Sequence, residues 1–72
     1  MKTVINIPMD LYRTLVDRCD RDRREYETMV NGLVEGDHLR IHCDGQSATD
    51  LVSWANDCLP GAGKKIKVVQ QI

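Results

Sequence analysis

Two histidines and three cysteines are the side chains best suited to chemistry here, and their spacing limits what they can do. His38, His42 and Cys43 lie close together, with Cys58 further along. His38 and His42 belong to an alternating run, so as residues i and i+4 of a strand they share a face yet stand about 13 Å apart, too far to hold one zinc ion. They read as solvent-facing histidines, and no metal is expected. Gly61-Ala62-Gly63-Lys64-Lys65 has the flavour of a phosphate loop. The Walker pattern, however, needs a glycine where Cys58 stands and a Ser or Thr where Lys65 stands, and this loop leads into a strand instead of a helix. It reads as a flexible connector with a basic exit, available as a secondary anion contact. Ser47 and Ser53 belong to no nucleophile motif and the cysteines have no readable basic partner, so neither catalysis nor a cofactor is expected.

Cys19, Cys43 and Cys58 cannot all pair within one chain, and no N-glycosylation sequon occurs. Both features suit a reducing cytoplasm, where each cysteine acts as a small buried apolar residue. The apolar residues come in periodic groups with neither a membrane-length block nor a signal-peptide pattern, and 42% hydrophobic against 29% charged is an ordinary globular balance. A net charge of −1 restricts any nucleic-acid site to a local patch, because Lys and Arg on phosphate supply most of the affinity in such complexes. Residues 1–36 carry six Lys/Arg against seven Asp/Glu and residues 37–72 four against four, so neither half is basic. Arg21, Arg23 and Arg24 nevertheless gather at one turn.

The elements that must position these groups follow from periodicity. Thr3 to Ile7 is β-branched at four of five positions and is closed by Pro8, which predicts one short strand. Leu11, Tyr12, Leu15, Val16 and Cys19 share one helical face, which predicts a helix from about Met9 to Asp20, with Asp10 near its positive end. After the charged turn, Tyr26, Met29, Val30, Leu33 and Val34 repeat at helical spacing and predict a second helix of roughly a dozen residues, ended by Gly36-Asp37. Gly32 inside it either permits close backbone packing or frays the helix early. His38 to Cys43 alternates as a half-buried strand, and Asp44-Gly45 turns the chain. Ser47 reads as an N-cap with Asp50 as its acidic partner, ahead of a third helix carrying Ala48, Leu51, Val52, Ala55, Cys58 and Leu59 on its apolar face. Trp54 borders that face as a core or edge residue. Pro60 to Gly63 ends the helix, and Lys64 to Ile72 reads as a last strand with Ile66, Val68 and Ile72 on one face. The fold class is therefore α+β in the order β-α-α-β-α-β, a single small domain over residues 1–72 whose two halves pack together.

The segment from Lys2 to Gly36 resembles the ribbon-helix-helix superfamily of the Arc, Mnt and CopG-type repressors. The residues that carry the likeness are the strand Lys2 to Ile7, the run Ile7-Pro8-x-x-Leu11-Tyr12-x-x-Leu15, the charged turn, and Tyr26-x-x-Met29-Val30-x-x-Leu33. In that family two chains pair their first strands into a ribbon that enters the major groove, and the start of the second helix touches phosphate. The resemblance implies a homodimer on double-stranded DNA, with Lys2, Val4 and Asn6 as outward readers and Arg23 and Arg24 on phosphate. Val4 departs from the usual polar reader and offers only contact with a thymine methyl group. The function implied is a transcriptional repressor or partition-type accessory factor, with residues 37–72 as an extension that meets another protein. A strand apolar on both faces also fits the middle of a closed sheet. That alternative places Thr3–Ile7, His38–Cys43 and Ile66–Ile72 in one sheet of a monomer, a small protein-binding inhibitor or adaptor without DNA.

Overall fold

The computed structural model describes residues 2–71. The β-branched opening segment is extended as β1 (Lys2–Pro8), and Pro8, which has no N–H to give the sheet, passes directly into α1 (Met9–Arg18). The Met9 N–H is taken up by the Asp37 carbonyl at 2.9 Å, which ties this junction to a distant turn. After the charged turn come α2 (Arg24–Val30), β2 (Leu33–Glu35), β3 (His38–Cys43), α3 (Gly45–Cys58), a single 3-10 turn at Ala62–Lys64, and β4 (Lys67–Gln71). The α+β class and the order of the main elements are those expected, with β2 added.

The sheet runs β2-β3-β1-β4, every neighbouring pair antiparallel. Two antiparallel partners of β1 must be parallel to each other, so each half of the chain makes a crossover through helices, the split β-α-β arrangement. All three helices lie on one face. There Ile5 and Ile7 of β1 and Leu39 and Ile41 of β3 meet Leu11, Leu15, Met29, Leu51, Trp54 and Ala55 in one buried cluster. Both halves of the chain feed that cluster, so neither has a core of its own. Trp54 is a core residue, its ring meeting Tyr26 edge to face at 6.5 Å.

Four local expectations are corrected. The second helix stops at Val30, and Leu33 and Val34 belong to β2. Gly32 explains the change of period: a Cβ there would lie 2.7 Å from Ile41 Cγ1 and 3.1 Å from the Arg40 carbonyl oxygen, so the chain crosses against β3 where no helix side chain fits. Gly36-Asp37 is then a two-residue hairpin turn and not a helix stop, with Gly36 at a φ of 61° that glycine takes without a Cβ clash. The cap of α3 is Asp44, whose carboxylate accepts the Ser47 N–H at 2.6 Å, in place of the predicted Ser47 cap. The last strand starts three residues late because the 3-10 turn packs Ala62 into the core first, with Ile66 buried just ahead of β4. Ile72, assigned to that strand from sequence, lies outside the described residues.

Gly32→Ala is expected to lower stability by about 1–3 kcal/mol, the usual cost of forcing a methyl group into packed surroundings, read as a lower urea midpoint. A wild-type midpoint would show that β2 crosses β3 with room to spare.

Candidate functional site

β1 has no free edge. Its backbone pairs with β3 from Thr3↔Cys43 to Pro8↔His38 and with β4 from Lys2↔Gln71 to Asn6↔Lys67. The two-chain ribbon implied by the resemblance therefore has no edge on which to form. Thr3, Ile5 and Ile7 face the core, and Val4 is only 2% exposed, held between its cross-strand neighbours His42 and Val69 on the sheet face turned away from the helices. A side chain so covered reads no base. Lys2 is exposed and Asn6 half-buried on that same face, whereas Arg23 and Arg24 are exposed at the start of α2 in the helix layer. The proposed readers and phosphate contacts thus stand on different layers and form no common surface.

Arg24 acts more locally. Asp44 is held below the usual carboxylate range, first by the Ser47 amide it accepts and also by the Arg24 charge. On the uncovered sheet face Arg40 approaches the Glu35 carboxylate at 3.5 Å, so part of the positive charge there is already matched, and the His38 ring lies 3.9 Å from the same carboxylate.

The free sheet edges are β2, only three residues long, and β4. Beside β4 runs a groove of about 560 Å³, the space that α3 leaves between itself and the strand. One wall is the helical stripe Thr49, Val52, Ser53 and Asn56, the other is Val68 and Gln70 of β4, and Lys64 closes one end. Register explains the strand wall: Val68 and Gln70 sit opposite Ile5 and Thr3, which places them on the helix side of the sheet, while Lys67 and Val69 point to the other side. The glycine-rich loop at 61–64 folds back on α3, with the Gly61 N–H donating to Asn56 Oδ1 at 3.1 Å, so it serves as the groove's end wall. Among the described residues no carboxylate lines the groove.

Of these groove residues the sequence singled out Val52 and Val68 for their apolar faces, the 61–65 loop as a basic connector and Ser53 only as a serine without a nucleophile motif, while Thr49, Asn56 and Gln70 carried no reading. The available signal was the spacing i, i+3, i+4, i+7 of Thr49, Val52, Ser53 and Asn56, a small and mixed stripe flanking the apolar face of α3.

Cys19 and Cys58 meet where the C-terminal ends of α1 and α3 converge, Cys19 buried and Cys58 packed against the same cluster. Burial, followed by the hydrogen bond and nearby charge of Cys58, pushes the Cys19 thiol up to about 12. No helix among the described residues is long and apolar enough to cross a membrane. Compared with protein-family models, with curated proteins and with solved structures, the chain matches none.

A thiol that titrates near 12 in the fold and near 9 when unfolded keeps the neutral form in the core. Its stabilising effect is complete below pH 9 and is lost as pH rises from there towards 12. Melting temperature is expected to fall over that range, with a shallower slope in Cys19→Ala than in wild type. Equal slopes would assign the loss to other groups.

Proposed function

We propose that this chain is a non-enzymatic protein-binding module of the inhibitor or adaptor kind, acting as a monomer and without DNA. The observation that carries the reading is the closure of β1 on both edges, which uses up the strand a ribbon-type regulator would present and leaves β4, with its groove, as the longer of the two open edges. Edge strands with unpaired N–H and C=O groups are a recurrent means of holding other chains. Val68 and Val69, 46% and 47% exposed, add apolar area to that edge, a feature common where proteins meet. The charge balance agrees: a net −1 gives little attraction for phosphate, and Arg40, the arginine opposite Asn6 on that face, is already engaged by Glu35.

The test pairs a mass with a titration. Light scattering is expected to return the 8.2 kDa monomer, and mixed duplex DNA at low salt is expected to leave the protein unbound. Asn6→Ala should then change neither result. A dimer whose DNA affinity drops steeply with added salt, and drops again on Asn6→Ala, would restore the repressor reading.

A further inference from the structure

Resting on the protein-binding reading above, we infer that the groove between α3 and β4 takes an extended acidic peptide segment of a partner, added to the sheet as a fifth strand. A strand at the end of a sheet has one row of backbone donors and acceptors unmet, and natural edges are usually blunted by charges, proline or bulges. β4 carries one such device, Lys67 at its first position; from Val68 onward it has neither proline nor charge. The opposite edge, β2, offers only three residues, and its Glu35 is engaged by Arg40 and His38. The longer edge is the better template.

A strand laid along β4 would send every second side chain towards Val68, Val52 and Thr49, and the remainder out beside Lys67 and Val69. The groove's 560 Å³ has room for small or β-branched side chains at the inward positions. Charge fixes the rest of the partner's chemistry. Lys64 ends the groove and Lys67 stands at the start of β4 on its outer side, both towards the same end, with no carboxylate among the described residues of the lining, so Asp or Glu at that end of the bound segment finds a match whichever way the segment runs. A second copy of this chain fits less well, because Lys67–Gln71 contains no acid and would leave both lysines unmatched.

The experiment uses the full chain and pools of end-blocked hexapeptides with Val, Ile or Thr at alternate positions, one pool carrying Glu at both ends and the other Lys. Binding is followed by fluorescence anisotropy and by amide chemical shifts. The acidic pool is expected to bind at least about tenfold more tightly than the basic one, a difference of about 1.4 kcal/mol, with shifts centred on Val68, Val69, Gln70, Thr49 and Val52. N-methylation at alternate peptide amides should weaken binding about tenfold, as a main-chain ladder requires. Lys64→Glu, checked for folding by circular dichroism, should remove the preference for the acidic pool, and Thr49→Trp should block the groove. Failure of the whole acidic pool, shifts confined to the uncovered sheet face, or indifference to N-methylation would each overturn the peptide proposal, while a DNA-indifferent monomer would leave the protein-binding reading standing. Concentration-dependent dimerisation with shifts at the same residues would put a second copy in the groove and also overturn it. Salt-sensitive duplex DNA binding would remove the parent reading itself.

Discussion

Everything in this molecule depends on β1 being held from both sides. A central strand must be apolar on its covered face and tolerably apolar on the other, and Val4 between His42 and Val69 meets the second demand as Ile5 and Ile7 meet the first. The pairing interlocks the two halves of the chain, because β3 and β4 both come from the second half and the helices of the first half have nothing to cover without them. It also decides where backbone is left over. With β1 and β3 inside, only a three-residue strand and β4 remain at the margins, and α3 does not reach far enough to cover the second of these.

Much of this was legible in the residues. Alternation in His38–Cys43, the 3.6-residue rhythm of Leu11, Leu15 and Cys19, and the apolar face of α3 each reflect a burial pattern set by local geometry, and each element formed as its pattern required. The failures have a common cause. Leu33 and Val34 continue the helical spacing of Tyr26 and Met29, but their conformation is set by pairing with Leu39 and Arg40 across a hairpin. Gly32 was the one local hint, and its meaning becomes definite only once Ile41 is known to lie 2.7 Å from where a Cβ would stand. The rule that failed was periodicity, overridden by a tertiary close approach.

The candidate site was less legible than the fold. A ribbon and a central strand have the same composition, β-branched and apolar on both sides, and they differ only in what occupies the edges. That information sits about thirty residues and more away in the sequence, in β3 and β4. The groove is further removed still, since it arises from a gap between two elements whose own residues are small and unremarkable: Thr49, Ser53, Asn56 and Gln70 advertise nothing until α3 and β4 are laid beside each other.

The pairing of Lys2 with Gln71 also bears on how the molecule is assembled. Of the four strands of this sheet the one made earliest is the one whose partners are made last, so neither pairing forms a hairpin and its strand contacts are non-local. Such a topology slows folding and leaves an apolar segment without neighbours in the interim. Pro8, which has no N–H to donate to a ladder, and the charged turn after α1 stand close by in the nascent chain, where they interrupt any sticky run before it lengthens.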